Sequence, residues 1–335
     1  MILKTILAFL RIPHLIQQLQ VRRDLHAFLR VHFLYAALET GLLNLLRTPV
    51  SRKEIKEQLG VQRPDLLDTF LAFGVHLGEL GSDNGRYTLR GMRSRALAEP
   101  EGDPMAAFVQ EYAHYHGSVY LNLPARLTGA PLGDYLEKTA DLVARSSRIL
   151  EPFMVNYVQS IIPTNRPLRL LEIGCGSGVY LRHAVAANNQ ITGIAIDMQE
   201  KAVQQTRRNL ADWGIDHHFQ VFTANIYDPP AELQGPFDLI TLYNNIYYFP
   251  LEERVALFQT LRTLLAPDGA LALVSMMQGA SMEAANFDLV LRSTIGGAPL
   301  PELNEVSRQL RSGGFTQIKQ TRLMFGEPFF GILAQ

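Results

Sequence analysis

At 335 residues with 47% hydrophobic content, the chain can bury at least one large core, and its length suits two domains or one with a substantial extension. A formal net charge of -1 gives no whole-chain attraction to nucleic acid or to an acidic surface, so any such partner has to be recognised locally. The single cysteine, Cys175, excludes an intramolecular disulfide and suits a reducing compartment; inside a glycine turn its small size explains it better than nucleophilic chemistry does.

The opening residues Met1 to Leu10 are apolar around Lys4, too short a run to cross a bilayer, and no small-residue cleavage site follows. A cytoplasmic protein is expected. From about Ile2 to Leu46 the chain reads as helix, broken near Pro13 and Gly41, with Leu15, Ile16, Leu19, Leu25, Phe28 and Leu29 at helical spacing. Arg11, Arg22, Arg23 and Arg30 face only Asp24, so this end is locally basic. A dimer or domain interface with a solvated basic edge accounts for it, and peripheral contact with an anionic membrane is the alternative.

Ser51 with Glu54 three residues later forms a capping box that starts a short helix, and Pro64 starts a second, expected to run to about Leu80. Ser82 to Arg90, with Asp83, Asn84 and Gly85 near its start, reads as a hairpin. Helix, helix, hairpin is a winged-helix pattern. A DNA-reading helix needs basic and amide side chains; this one offers Leu66, Leu67, Phe70, Leu71, Phe73, Leu77 and Leu80 with Asp65, Asp68 and Glu79, which suits a protein surface and makes nucleic acid an unlikely partner.

Residues from about Glu99 to Thr164 read as linking helices, one over Met105 to Tyr115 and a longer one from about Tyr135 to Ile161. The polar-aromatic stretch holding His114 and His116 is a candidate pocket lining; two histidines at i, i+2 lie on different faces of a helix and do not form a metal pair. From Leu168 onward strands and helices alternate: strands 168–173, 191–196, 219–223, 237–243 and 269–275, helices after Ser177 and at 199–212 and 251–264. This is the rhythm of a doubly wound parallel sheet. Thr316 to Thr321 and Phe329 to Leu333 add a closing antiparallel hairpin.

The chemistry-bearing stretch is E-x-G-x-G-x-G, from Glu172 through Gly174 and Gly176 to Gly178, where an apolar strand turns into a helix. A dinucleotide fingerprint needs glycine at the position of Val179, so that reading fails. Asp197, at the end of the next strand, is placed to accept ribose hydroxyl protons. Its other reading is a helix cap before Gln199.

With these residues the sequence resembles the class I S-adenosylmethionine-dependent methyltransferases over roughly 168–335. The resemblance implies an α/β, Rossmann-like doubly wound catalytic domain with S-adenosylmethionine as cofactor. Gly174, Gly176 and Gly178 then border its methionine and ribose parts, Glu172 belongs to the same cofactor-binding set, Asp197 binds the ribose, and Met198 packs on the adenine. The segment 222–226, with Asn225 and Ile226, meets the adenine, and 264–272 leads into the fifth strand. Many relatives carry aspartate where Asn225 stands; asparagine keeps a carbonyl acceptor, and its other reading is a turn residue.

The helical, winged-helix-like N-terminal part looks like the small-molecule O-methyltransferases. That resemblance implies a homodimerisation domain over 1–100, linking helices contributing to a substrate pocket over 101–164, and a catalytic domain over 165–335. In that family a catalytic histidine follows the fourth strand; here Tyr247 falls at its place. A tyrosine with a reference pKa near 10 is a poor base at neutral pH. Either the small, apolar or aromatic acceptor is acidic by itself, or His114 or His116 supplies the base. Tyr243, Asn244 and Tyr248 are the candidate acceptor wall, and no metal is expected, since no ligand-spaced cluster follows strand four. C-methylation of an acidic carbon and a non-catalytic cofactor-binding scaffold are the rival readings.

Overall fold

Because successive strand residues face opposite sides, the run Leu168–Ile173 buries one set of side chains on each face of a sheet. Leu171 and Ile173 join one core, with Leu257, Phe258, Val306 and Leu310. Leu168 and Leu170 join the other, with Met154, Tyr157, Leu181 and Val203. Glu172 therefore shares a face with Leu168 and Leu170.

The computed structural model describes residues 12–335, with 136–138, 140 and 141 described as backbone only. The expected helix over 2–11, together with Arg11 of the basic cluster, lies outside the described residues. Two compact units divide the chain, Met1–Tyr120 with Asp141–Ile149, and Leu121–Ala140 with Leu150–Gln335.

The first unit begins with α1 (Leu15–Glu39) and α2 (Leu42–Leu45), separated by Gly41 with a positive φ of 75°. Short strand β1 (Val50–Ser51) leads into α3 (Arg52–Gln58), whose capping box between Ser51 and Glu54 is fully formed. Next come α4 (Pro64–His76), β2 (Leu80–Asp83) and β3 (Arg86–Leu89), and the three strands pair in the order β1-β3-β2. Helix α4 stops short of the expected Leu80 because Gly78 takes a left-handed φ of 73° and its N–H, with that of Glu79, closes the end on the carbonyls of Val75 and Gly74. Leu67 and Leu71 are core residues beside Phe33 and Leu34, and Phe70 and Phe73 pack against them, so only Leu66 of the α4 apolar set stands exposed. The expectation that this helix presents an apolar protein-binding face is corrected: the apolar side chains build the unit's own core. Glu79 is likewise no surface charge, being buried beside Arg30 at 3.3 Å.

After α5 (Met92–Ala98) and α6 (Asp103–Gln110), residues Glu111–His116 form a π-helical turn, and α7 (Gly117–Leu127) follows. The long helix expected to reach Ile161 is instead α8 (Leu136–Ser146), a 3-10 turn, and α9 (Glu151–Ile161). Pro152 explains the break: lacking an N–H, it is tolerated only in a first turn, so a new helix starts there.

The second unit then runs β4 (Leu168–Ile173), α10 (Val179–Ala187), β5 (Ile191–Asp197), α11 (Glu200–Asp212), β6 (Phe219–Thr223), β7 (Phe237–Tyr243), α12 (Arg254–Leu264) and β8 (Leu265–Met276). Helices α13 (Met282–Arg292) and α14 (Leu303–Ser312), which the sequence reading omitted, precede the expected hairpin β9 (Ile318–Arg322) and β10 (Phe329–Ala334). The sheet order is β6-β5-β4-β7-β8-β10-β9, parallel except where β10 pairs antiparallel with β8 and β9. The chain winds outward from β4 to β6 and then restarts at β7. Strands β4 and β7 thus flank the topological switch point, where crevices form beyond the carboxyl ends of the strands.

Candidate cofactor site

At the switch point the glycine loop is tied down by its own backbone. The N–H groups of Gly174 and Cys175 both donate to the Ile196 carbonyl, at 2.8 and 3.0 Å, and Gly178 N–H donates to Cys175 O at 2.8 Å. Gly174, Gly176 and Gly178 all have left-handed φ, of 71°, 55° and 75°. At Gly176 a Cβ would point into open space, which leaves backbone bare for a ligand to lie against. That combination fits an adenosyl ligand.

Asp197 completes the cradle. Its carboxylate accepts from Gly176 N–H at 3.0 Å through one oxygen and from Gln199 N–H at 2.9 Å through the other. Asp197 thus makes a local turn contact to Gln199 N–H, although the cap of α11 is Gln199 itself; two backbone donors fix the carboxylate's orientation, and each oxygen keeps a lone pair for a further donor. Helix α11 braces the loop from behind, with Thr206 Oγ1 donating to Gly176 O and Asn209 Nδ2 to Ser177 O, both at 2.8 Å. Sequence reading missed this pair. Its only signal is a threonine and an asparagine three residues apart on the helix that follows Asp197.

Across the switch point, the Asn245 side chain lies over Gly174 and donates to Ile173 O at 2.5 Å. Met198 is 67% exposed beside the loop, whereas Ile226 is buried in the sheet core. Asn225 Oδ1 accepts from Tyr227 N–H at 3.0 Å, so the turn role weighed for this residue is present. Cys175 is buried and its thiol is pushed up by that burial, which keeps it protonated and suits a packing role.

Glu172 lies beneath the loop, 2% exposed. Burial, and secondarily the Asp197 charge, push its carboxyl up to about 8. The phenols of Tyr180 and Tyr243 share this pocket, their rings edge-to-face at 5.3 Å, and burial drives both upward. Tyr180 is also hydrogen-bonded to the Asn244 side chain.

Asn244 takes a left-handed φ of 55° and donates its N–H to Val274 O at 2.8 Å, which turns the chain out of β7. In the 3-10 turn that follows, Tyr247 is buried edge-on against Phe287 at 5.1 Å and Tyr248 at 4.8 Å, while Tyr248 is half exposed. Tyr243, Asn244, Tyr247 and Tyr248 therefore cluster at the carboxyl end of β7. His114 and His116 belong to the first unit: His114 stacks on Tyr35 at 6.4 Å, and His116 is buried with Nε2 3.4 Å from Glu111 Oε1. An α-helix would turn residues five apart away from each other; the π turn brings Glu111 and His116 to one side.

Comparison with known proteins agrees with this geometry. Residues 171–271 match the family described as a methyltransferase domain. The ubiquinone biosynthesis O-methyltransferase of Haemophilus ducreyi is 26% identical over 127 residues, 37% of this chain and 52% of its own length. The non-reducing polyketide synthase nvfA of Aspergillus novofumigatus is 26% identical over 207 residues, 54% of this chain and 9% of its own. The chain thus spans about half the length of the ubiquinone relative and a small part of the synthase. The solved structure of the mitomycin 7-O-methyltransferase MmcR superposes with a TM-score of 0.79 at 15% identity, covering 95% of this chain and 97% of that one. By sequence, residues 171–271 match a methyltransferase domain; human N-acetylserotonin methyltransferase, whose structure was solved with S-adenosylmethionine, superposes with a TM-score of 0.74 at 13% identity, covering 95% of this chain and 97% of that one. The chain as a whole has the fold of the O-methyltransferases that carry a helical N-terminal domain.

Proposed function

We propose that the protein is an S-adenosylmethionine-dependent methyltransferase that O-methylates a small, apolar or aromatic acceptor. The observation that carries this reading is the Asp197 carboxylate, held by Gly176 and Gln199 N–H groups at the rim of a glycine loop whose Gly176 faces open space. The bound cofactor supplies a methyl group on a sulfonium, which an acceptor nucleophile takes by in-line displacement. The chain's contribution is chiefly positioning. Gly174, Gly176 and Gly178 are assigned to the methionine and ribose side, Asp197 to the ribose hydroxyls, and Met198 with Asn225 to the adenine, Ile226 backing them from the core. Asn244, Tyr247 and Tyr248, backed by Tyr243, are assigned to the acceptor.

Tyr247 stands where a histidine base is expected, and a phenol is a weak proton acceptor at neutral pH. This favours an acceptor that ionises readily, a phenol or an enol, with His116 or His114 as the proton acceptor where one is needed. An enol is also the nucleophile for C-methylation, so the same substitution supports that second reading. In the N-terminal part, Ile16, Leu25 and Phe28 stand more than half exposed along α1, and the winged-helix-like strands and helices follow it. We assign this surface to a second copy of the chain. Among the described residues no helix is long and apolar enough to cross a membrane.

The test is turnover of methyl-labelled cofactor against a panel of phenols and enolisable ketones, with mass spectrometry locating the label. Label on oxygen supports the reading, label on carbon replaces it with C-methylation, and cofactor binding without transfer across the panel supports a scaffold.

A further inference from the structure

Arg254 opens α12 with a side chain that is only 1% exposed. Neither its place in the helix nor its depth suits a cation. A first turn is the positive end of the helix dipole, where a positive side chain is unfavourable. A buried guanidinium also loses its hydration unless the fold supplies acceptors for its N–H groups. Among the described residues Arg254 forms no ion pair, and the carboxylates that bear on it, Glu252 and Glu305, do so at longer range.

The guanidinium is held instead by two backbone carbonyls. Nε donates to Phe249 O at 3.0 Å and Nη2 to Pro299 O at 3.4 Å. These carbonyls belong to different loops: Phe249 closes the 3-10 turn Ile246–Tyr248, and Pro299 lies in the connection between α13 and α14. The same two loops meet where Ala298 N–H donates to Tyr247 O at 2.8 Å. A backbone bond and a side chain thus both tie the Tyr247 turn to this connection.

Proline explains why a side chain is used. Pro250, Pro299 and Pro301 have no N–H, so neither loop can extend its pairing as a backbone ladder. Leu300 N–H is already given to Asp288 at 2.8 Å. Arginine suits the remaining task because its planar fork presents N–H groups to two separate acceptors at once, whereas lysine is a point donor.

Resting on the acceptor assignment made under the proposed function, we propose that Arg254 is a positioning residue for the acceptor: it clamps the turn carrying Tyr247 and Tyr248 to the α13–α14 connection and so fixes the acceptor wall. It acts through those residues and touches neither acceptor nor cofactor. Asn245, where the turn begins, is anchored separately by its own hydrogen bond to Ile173 O, so loosening the clamp should not reach the glycine loop. Loss of Arg254 should therefore weaken acceptor recognition and leave cofactor binding as it is.

The experiment is hydrogen–deuterium exchange with mass spectrometry on the full chain as wild type, Arg254→Met and Arg254→Lys. It is run beside S-adenosylmethionine calorimetry and steady-state kinetics with the acceptor that the wild type turns over fastest in the panel of phenols and enolisable ketones. In Arg254→Met, amides of segments 244–250 and 294–300 should exchange about tenfold faster, while segments 168–176 and 191–199 stay within about twofold of wild type. Arg254→Lys, able to serve one carbonyl at a time, should fall between the two. The acceptor's KM should rise about tenfold in Arg254→Met, with affinity for S-adenosylmethionine changed by less than about twofold.

Wild-type protection of both loops in Arg254→Met, equally faster exchange in β4 and β5, or an unchanged acceptor KM overturns the inference while leaving the cofactor and acceptor assignments standing. Should Arg254→Met fail to fold, the same comparisons in Arg254→Lys decide. A wild type that binds S-adenosylmethionine and methylates nothing in the panel overturns the acceptor assignment and this inference with it.

Discussion

The Asn245 side-chain nitrogen occupies a point 2.5 Å from where a Cβ would stand on Gly174. Two neighbouring glycines of the loop consequently answer to different demands. Gly174 needs both its φ of 71° and the absence of a side chain, whereas Gly176 needs only a tolerable φ of 55° and faces open space. Gly174→Ala is expected to destabilise the chain by about 2–4 kcal/mol, the left-handed backbone cost plus displacement of Asn245. Gly176→Ala should cost only about 1 kcal/mol of stability, yet its methyl enters the space assigned to cofactor and should weaken binding by about tenfold or more. Thermal unfolding and calorimetric titration of the two variants separate these outcomes.

Thr206 holds the loop from behind. In Thr206→Val the hydrogen bond to Gly176 O is lost with little change in shape, and a stability loss of about 1 kcal/mol is expected. The freed loop should also bind cofactor about threefold to tenfold more weakly. A variant that binds as the wild type does would assign Thr206 to packing alone.

The free protein's stability should depend on pH through Glu172. Its folded-state carboxyl sits at about 8, raised from 4.5. The folded chain therefore holds the proton more tightly than the unfolded chain does, and the associated stability is fully present below the unfolded value and lost as pH rises through the folded one. Without cofactor, Tm should fall between about pH 5 and pH 8, by an amount corresponding to a few kcal/mol, and the slope should be shallower in Glu172→Gln. Equal slopes for the two proteins would locate the effect elsewhere.

In the first unit, Glu79 is almost wholly buried, ion-paired with Arg30 (Nε at 3.3 Å) and accepting a hydrogen bond from Ser94 N–H at 3.3 Å. Glu79→Ala strands those donors and is expected to cost about 3 kcal/mol, read by chemical unfolding of the full chain.

Should the acceptor need a base, His116→Ala or His114→Ala should lower turnover by about a hundredfold or more with cofactor affinity intact. His116→Ala is the sharper case because His116 is buried with its Nε2 3.4 Å from Glu111 Oε1. Undiminished turnover in both variants assigns the proton to an acceptor that ionises unaided.

Strand periodicity and the glycine spacing made the second unit legible from residues alone, because a doubly wound sheet repeats one physical pattern and a ligand turn needs glycine at fixed places. The break at Pro152 and the π turn at Glu111–His116 were less legible, since both depend on where a helix is interrupted rather than on its period. The α4 side chains were misread for a related reason. An apolar helix face does not say whether its partner lies in the same chain, and Leu67 and Leu71 found theirs in Phe33 and Leu34. Thr206, Asn209 and Asn245 are ordinary residues in the sequence and acquire meaning only when folding sets them against the loop.

In the proposed function, this loop and Asp197 hold S-adenosylmethionine. Calorimetric titration of S-adenosylmethionine into the wild type and into Asp197→Ala tests it most directly. Saturable binding that weakens by about tenfold or more in the variant is the predicted result; no binding to the wild type, or equal affinity in the two proteins, would contradict it.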